Sequence, residues 1–469
     1  MTKNYVVYGL GISGISILNY LSKNNFQLVA TDDNQKIIDS FKSKYPNINF
    51  LNPKEINYNQ DSIISFAPGI PLYFPKNHQI LEICKKTHAK LSCDIEIFYD
   101  FNKDNNNSFI GITGTNGKST TTALTSFVFK ELNINSAMGG NIGVPCFDLP
   151  QNQKDFSYIF ETSSFQLDLI NNLNFDIAVL LNITPDHIDR HGSMQGYIEA
   201  KKRIFLNQKQ HDFAIIDYDN ENSRSVYDEL NNDNNFKANL IPISTKKILD
   251  NGISIVNGIL INNIKNKSSQ FALTSKFLKG DHNSQNMAFA FTICYCYFLQ
   301  KKLKHNTDLP VEIEKEIVDK IKNFQGLKHR MQIVKEIGNK RFINDSKATN
   351  AESTINALKA YDNIFWILGG RAKEGGITTL IPYFKKIVKA YLIGEASDNF
   401  AEILKLNNVN YEKCFSLENA FKKIIEDIKT FELSEKNILL SPACASLDQW
   451  KSFEERGDYF CKLVNDLSN

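Results

Sequence analysis

Strong charge of one sign is missing from this sequence. Its 54 Lys and Arg residues nearly balance 52 Asp and Glu, for a formal net charge of +2. There is no basic arm and no acidic tail, so nothing points to a nucleic-acid or anionic-membrane partner. Also missing is any apolar run of the ~18 residues that a membrane span needs. The chain starts directly with Tyr5-Val6-Val7-Tyr8, without the basic, apolar and small-residue succession of a signal peptide. Eight cysteines are present, at 84, 93, 146, 294, 296, 414, 444 and 461, but no pair is spaced C-x-x-C or as a zinc finger. Most sit in apolar runs such as FTICYCYF, which reads as packing in a reducing cytosol. No sequence repeat is visible. What is present is ordinary soluble composition, 42% hydrophobic and 23% charged, over 469 residues. That length exceeds one core and points to about three domains.

Residues 1–100 alternate strand-like runs (YVVYGL, FQLVATD, SIISFAPG) with helical stretches near 14–23, 34–43 and 76–87. Such alternation predicts a parallel sheet with helices on both faces. FNKDNNNS (101–108) is polar and reads as a linker. Residues 109–326 begin again with the strand FIGIT and a helix from about Lys118. YIFETS and IAVLLNIT are apolar runs suited to strands buried on both faces. Asn257-Gly258 between apolar runs signals an antiparallel hairpin. Helices are expected near 283–301 and 310–323. Residues 327–469 alternate once more, through RFIND, IFWILGG, KAYLIGE and NILLSPA, with a last helix from Asp448. The expected architecture is α/β throughout: a Rossmann-like first domain, a central P-loop domain with an added hairpin, and a dinucleotide-fold-like third.

GITGTNGKST (111–120) follows a strand and opens a helix, the setting of a phosphate loop. Its end, Gly117-Lys118-Ser119, is orthodox; its front is not, because Ile112 stands where the leading glycine of the common loop falls. Backbone N–H groups at such a helix start attract anions. Lys118 can reach β- and γ-phosphates, and Ser119 can ligate Mg²⁺. Glu161, in ETSSFQLD, closes a buried strand where a carboxylate can hold the same ion. His187 lies among Asp186, Asp189 and Arg190 at another strand end. In QGYIEAKKRIFL (195–206), Tyr197, Ile198, Lys201, Ile204 and Phe205 share one helical face. Lys201 is therefore a lysine on a buried face. It reads either as a snorkelling side chain or as a neutral amine able to take up CO₂ as a carbamate. GDHNSQN brings His282, Asn283 and Asn286 as nucleotide contacts, with Asn283 also suited to cap its helix. Arg330 in GLKHR can fork onto phosphate oxygens. Asp345, Lys347 and Thr349 crowd one strand end and Lys373 another. Ser446-x-x-Gln449 has the form of a capping box, and its helix start suits a carboxylate. GLGISG (9–14) with Asp32 fits a dinucleotide fold, and the same loop can hold any pyrophosphate, including that of a UDP-sugar.

TGTNGKST resembles the ATP loop of the Mur ligase superfamily, the ATP-dependent amide ligases of peptidoglycan and folate-tail synthesis. GGNIG (139–143), SSFQLD, DHIDRH, HN (282–283), GLKHR, NDSKATN and SPACASLDQWKSFEERG follow in the family's order across nearly the whole chain. The last two resemble the D-glutamate-adding branch, and the D-N-P-R stretch of the diaminopimelate-adding branch is not seen. The resemblance implies a UDP-sugar domain (1–100), an ATP domain (101–326) and an amino-acid domain (327–469). It implies cytoplasmic peptidoglycan-precursor synthesis through an acyl phosphate, with domain closure excluding water. The implied substrates are ATP, UDP-N-acetylmuramoyl-L-alanine and D-glutamate, taken by a monomer without nucleic-acid or membrane partners.

Carried onto this sequence, Lys118, Glu161, His187 and Lys201 are the implied catalytic group. Gly114, Thr115, Asn116, Gly117, Lys118, Ser119, Thr120, Asn283, Asn286, Arg330 and Asp345 hold ATP. Ser119 and Glu161 hold a first Mg²⁺; Glu161, His187 and a carbamylated Lys201 hold a second. Gly11, Ile12, Ser13, Asp32, Asn141 and His187 contact the UDP-sugar. Thr349, Lys373, Ser446, Leu447 and Phe453 form the glutamate pocket. The chain departs from the family at Ser13, where threonine is expected, at Thr162, where an aliphatic residue is expected, and at Arg371, where Asp or a small residue is expected. Two alternatives are another amide ligase of the superfamily, L-glutamate-adding or folylpolyglutamate-synthase-like, and a non-enzymatic nucleotide switch. The first should lack GLGISG and SPACAS; the second would need only residues 109–326.

Overall fold

Three sheets form in this computed structural model, which describes residues 3–467 other than 142, 265–267, 276, 279, 306, 307, 373 and 374. The element lists that follow concern those residues. The first sheet is five-stranded and all parallel: β1 (Asn4–Tyr8), β2 (Gln27–Thr31), β3 (Asn49–Phe50), β4 (Ser62–Phe66) and β5 (Lys90–Ser92). Its order, β3-β2-β1-β4-β5, is that of a dinucleotide fold, and the chain reverses direction across the sheet between β1 and β4. Helices α1 (Ile12–Lys23), α2 (Gln35–Lys42), α3 (Gln79–Thr87) and α4 (Asp94–Asn102) connect and flank it.

The polar stretch 101–108 differs from its expectation as a linker. Helix α4 runs to Asn102 and the next strand starts at Ser108. Asn107 donates to the carbonyls of Asn102 and Gln153, both at 3.0 Å, and Asn102 accepts from the N–H of Asn152 at 3.0 Å. These asparagines satisfy backbone groups rather than solvate a tether. On the apolar side of α4, Phe98 meets Phe147, Tyr158 and Phe160 edge-on. On its polar side, the buried Glu96 accepts the N–H groups of Asn171, Asn172 and Leu173 at 2.8–3.1 Å. One continuous apolar core therefore runs from the first sheet into the second.

The second sheet contains β6 (Ser108–Thr113), β7 (Ser136–Gly140), β8 (Ser157–Glu161), β9 (Ile177–Leu180), β10 (Phe213–Asp217), β11 (Asn239–Ser244), β12 (Ile253–Val256), β13 (Ile259–Asn262) and β14 (Ser269–Ala272), in the order β14-β13-β12-β11-β10-β9-β6-β8-β7. Pairing is parallel from β7 to β12. The Asn257-Gly258 turn makes β12 and β13 antiparallel as expected, and β14 extends that piece by a third strand. Helices here are α5 (Lys118–Glu131), α6 (Ser164–Leu167), α7 (Ile188–His191), α8 (Met194–Lys202), α9 (Glu221–Asn232), α10 (Asp281–His305) and α11 (Ile313–Asn323). Because α10 starts at Asp281, Asn283 lies inside its first turn and is not its cap.

The third sheet contains β15 (Gln332–Ile337), β16 (Lys340–Asn344), β17 (Ile364–Gly369), β18 (Ile387–Ile393), β19 (Tyr411–Phe415) and β20 (Lys436–Leu440), ordered β15-β16-β20-β17-β18-β19, with only β15 antiparallel. Its helices are α12 (Ala351–Ala360), α13 (Ser397–Leu406), α14 (Leu417–Asp427) and α15 (Phe453–Asn465). The last helix starts five residues later than expected from Asp448. Its cap is Ser452, which accepts from Glu455 N–H. Ser446 caps no helix: its carbonyl closes a turn by accepting from Gln449 and Trp450 N–H. Asp448 is drawn away, accepting Glu395 N–H at 3.1 Å.

By compactness the chain divides into a unit of Met1–Thr274 with Asp281–Asn323 and a unit of Ser275–Gly280 with Phe324–Asn469. Among the described residues no helix is long and apolar enough to cross a membrane.

Candidate active site

Two glycines explain the odd front of the 111–120 loop. Gly111 belongs to the middle of β6, where a Cβ would fall 2.8 Å from the Phe175 ring; it is a packing glycine, not a loop glycine. Gly117 takes φ +88°, and its missing side chain leaves room for the Asn286 amide, whose Oδ1 lies 2.5 Å from the Cβ position. The left-handed backbone makes glycine the low-cost choice there. The loop is stapled from the neighbouring strand end. Asn182 carbonyl accepts Thr115 N–H at 2.7 Å, and the Asn182 side chain bonds Asn116 N–H and carbonyl at 2.9 and 3.1 Å. Thr115 Oγ1 completes it against Thr184. From α10, Asn286 accepts the Thr121 hydroxyl at 3.2 Å and donates to Asn283.

Two lysines converge on one loop carbonyl. Lys118 Nζ donates to Gly114 and Thr115 carbonyls, each at 2.8 Å. Lys201, only 2% exposed on the inner face of α8, donates to the same Gly114 carbonyl at 2.9 Å. Its ammonium also lies 4.6 Å from the Tyr197 ring. Burial, reinforced by repulsion from Lys118, holds the Lys201 pKa well below the ordinary lysine value. Lys118 adds its charge where the loop N–H groups and the α5 N-terminus already favour an anion, and the lowered pKa of Lys201 favours its neutral amine.

Glu161 closes β8 and is 3% exposed. Its Oε1 accepts from Asn141 Nδ2 at 3.1 Å; among the described residues its buried Oε2 has no hydrogen-bond partner. A buried carboxylate oxygen left unbonded is costly unless something else binds it, and a hard cation is the group an acidic oxygen suits. His187 sits at φ +52° at the start of α7, half-exposed, edge-on to Phe165. Among the described residues no three His, Cys, Asp or Glu side chains group as a ready metal cage. Any metal held by Glu161 or His187 would therefore need further oxygens, such as a hydroxyl or a phosphate. Thr162, the departure beside Glu161, donates its hydroxyl to the Ile112 carbonyl at 3.3 Å.

At the ends of β1 and β2, Asp32 shapes the GLGISG turn by accepting Leu10 N–H at 2.9 Å and Asn34 N–H at 3.0 Å. Gly11 is the N-cap of α1, and the next residues, Ile12 and Ser13, lie at the surface.

In the second compact unit, Asp345 directly follows β16, 4% exposed, accepting Ser441 Oγ at 2.7 Å and Met331 N–H at 3.1 Å. Burial pushes its pKa up to about 7. Arg330 and Thr349 belong to the same unit, half-buried. Ser446 is buried and Leu447 exposed, and Phe453 lies beneath the Lys347 ammonium at 5.5 Å. Lys373 lies outside the described residues. Arg371 pairs backbone-to-backbone with Ala445, and its side chain forks onto Glu395 at 3.0 and 3.1 Å. The departure at this position therefore adds no unbalanced charge. Sequence reasoning missed Asn182 as the loop staple, although it lies in the apolar run IAVLLNIT. Asp219 and Gln285 were missed too; with Asn182 and His282 they line a cavity of about 360 Å³ beside the loop.

The chain is similar to known proteins along most of its length. Residues 112–294 match the Mur ligase middle domain and residues 329–444 the Mur ligase glutamate ligase domain. The chain is 39% identical to the UDP-N-acetylmuramoylalanine--D-glutamate ligase of Rickettsia bellii, covering 99% of this chain and 98% of that one. It is 37% identical to the enzyme of that name from Rhodospirillum rubrum, covering 99% and 94%. Among solved structures, UDP-N-acetylmuramate-alanine ligase MurC from Thermotoga maritima has a TM-score of 0.55 at 14% identity, covering 99% of each chain. MurF from Acinetobacter baumannii has a TM-score of 0.56 at 15% identity over 79% of each. These two likenesses concern the fold.

Proposed function

The chain belongs to the Mur ligase family, and from that premise we propose that it joins D-glutamate to UDP-N-acetylmuramoyl-L-alanine at the expense of ATP in peptidoglycan-precursor synthesis. The observation that carries the reading is near end-to-end similarity to enzymes of that name, covering 99% of this chain and 98% of the Rickettsia bellii one. We further assign the reaction to the cytoplasm and to a monomer, with three functional domains at 1–100, 101–326 and 327–469 for UDP-sugar, ATP and amino acid.

In this reading the alanyl carboxylate attacks the γ-phosphorus, ADP leaves, and an acyl phosphate forms. The glutamate amine then attacks the acyl carbon, and phosphate and a proton leave as the amide forms. The loop from Gly114 to Thr120 cradles the ATP phosphates through backbone N–H groups. Lys118 follows the charge on the transferring phosphoryl group. Asn283, Asn286, Arg330 and Asp345 hold the remainder of ATP. Gly11, Ile12, Ser13, Asp32, Asn141 and His187 hold the UDP-sugar; Thr349, Lys373, Ser446, Leu447 and Phe453 hold glutamate. Ser119 and Glu161 would hold one Mg²⁺, and Glu161, His187 and a carbamylated Lys201 a second. When bound, Mg²⁺ neutralises phosphate charge in the transfer. The unbonded Glu161 Oε2 supports the first assignment. The buried amine of Lys201, which among the described residues bonds only neutral oxygens, supports the second. Carbamylation would give that position two oxygen ligands of its own.

Phosphate release from ATP and Mg²⁺ with the UDP-sugar, run with D-glutamate, L-glutamate or neither, tests the reading. Release that needs both the sugar and D-glutamate is expected. Release with L-glutamate alone would move the error to the amino-acid pocket. Silence in all three, from protein that binds ATP, would overturn the substrate assignment. Carbon-13 NMR of protein equilibrated with labelled bicarbonate tests Lys201: a carbamate signal absent from Lys201→Met is expected.

A further inference from the structure

Arg190 has no part in the roles above, yet it makes an unusual set of bonds. From α7, three residues beyond His187, its guanidinium donates to three consecutive carbonyls of the turn after β4: Pro68 at 3.2 Å, Gly69 at 3.4 Å and Ile70 at 3.0 Å. Among the described residues no backbone N–H reaches those carbonyls. The guanidinium is backed by Phe165, whose ring centre lies 4.3 Å away. A planar fork can serve adjacent carbonyls and stack at once; a lysine ammonium cannot.

The turn it grips flanks the point where the first sheet reverses direction, the crevice in which such sheets bind ligands. The turn also touches the GLGISG cradle. A Cβ on Gly9 would fall 2.5 Å from Ala67 Cβ and 2.9 Å from Ile70 Cδ1. Pro68 and Gly69 have little side chain with which to pack, so their carbonyls are the available handles. One side chain thus connects the pyrophosphate cradle of the first sheet to α7, whose N-cap is His187, on the second.

We propose that Arg190 is a positioning residue for the UDP-sugar: it fixes the 68–70 turn against α7, so that the cradle and His187 keep one spacing. The inference rests on the UDP-sugar reading given above.

Calorimetric titration of UDP-N-acetylmuramoyl-L-alanine and, separately, of Mg-ADP into the full chain and its Arg190→Met and Arg190→Lys variants tests it. Loss of charge-assisted bonds should raise the Kd for the sugar nucleotide about tenfold in Arg190→Met, with Arg190→Lys between it and the parent. The Kd for Mg-ADP should stay within about twofold, since the guanidinium bonds the 68–70 turn and not the 114–120 loop read as holding the nucleotide phosphates. Unchanged sugar affinity would overturn the proposal. So would parallel weakening of both ligands with a lowered melting temperature, the mark of a scaffold residue. If Arg190→Met does not fold, Phe165→Leu takes its place: it keeps the guanidinium and removes its backing, and a smaller, sugar-selective weakening is expected. A parent protein that binds Mg-ADP but not the sugar nucleotide would overturn the substrate reading itself, and that result is visible before any variant is made.

Discussion

Asp345→Asn should stabilise the protein above neutral pH while impairing it as an enzyme. The Asp345 carboxyl is buried, and burial raises its pKa from 3.8 to about 7 despite bonds from Ser441 and Met331 and the nearby Arg330. A raised carboxyl pKa means the folded state keeps a proton that the unfolded chain has released. Stability is then full below the unfolded pKa, falls as pH rises from about 4, and levels off above about 7. At ~1.4 kcal/mol per pH unit, the full loss is on the order of 4 kcal/mol, of which about 2–3 kcal/mol falls between pH 5 and pH 8. Asparagine removes the titration. Its carbonyl can still accept Met331 N–H, and its amide can donate to Ser441 Oγ, which is free to turn its proton to Thr354 Oγ1 at 3.2 Å. Differential scanning calorimetry of parent and variant at pH 5 and pH 8, following the transition of the second compact unit, reads the difference. The stability gap in favour of Asp345→Asn should widen by about 2 kcal/mol with pH, while phosphate release falls because the proposed ATP contact is lost. A gap that does not change with pH, or a variant less stable than the parent at pH 8, would refute the assignment of Asp345 as a carboxyl forced to ionise in the core.

Glu161→Gln should lower phosphate release about 100-fold or more and weaken its dependence on Mg²⁺, yet leave the melting temperature unchanged or higher, because the replaced Oε2 is buried and unbonded; a magnesium titration and a thermal melt read both. Gly117→Ala should cost ATP about tenfold in affinity, since the new Cβ enters a left-handed backbone and meets Asn286 Oδ1, while UDP-sugar affinity holds in a paired titration. Glu96→Gln should destabilise by about 2–4 kcal/mol through the three N–H groups that its buried carboxylate accepts, and urea denaturation beside unchanged KM values for all three substrates would bear this out.

Local pattern revealed much of this molecule, and its failures are of one kind. The strand-loop-helix around GITGTNGKST and the inward face of α8 that carries Lys201 both follow from periodicity and turn chemistry, which are local properties. The role of Gly111 was hidden, because it depends on Phe175 lying across the strand, a contact that no local pattern encodes. The same holds for Asn182 stapling a loop 66 residues away and for Arg190 reaching carbonyls about 120 residues away. The 101–108 stretch misled because asparagines that cap backbone groups have the same composition as asparagines that solvate a tether. The start of α15 misled because two Ser-x-x-Glu/Gln stretches lie six residues apart, and burial of Ser446 together with capture of Asp448 by Glu395 N–H favours the second.

Oxygen-18 transfer tests the chemistry most directly. UDP-N-acetylmuramoyl-L-alanine labelled in both oxygens of its alanyl carboxylate is turned over with ATP, Mg²⁺ and D-glutamate, and the released phosphate is weighed by mass spectrometry. An acyl phosphate requires one carboxylate oxygen to leave with each phosphate, so singly labelled phosphate, formed only when D-glutamate is present, is the expected result. Phosphate without the label would mean that water or another nucleophile takes the phosphoryl group, and the ligase mechanism built on Lys118, Glu161 and Lys201 would be contradicted.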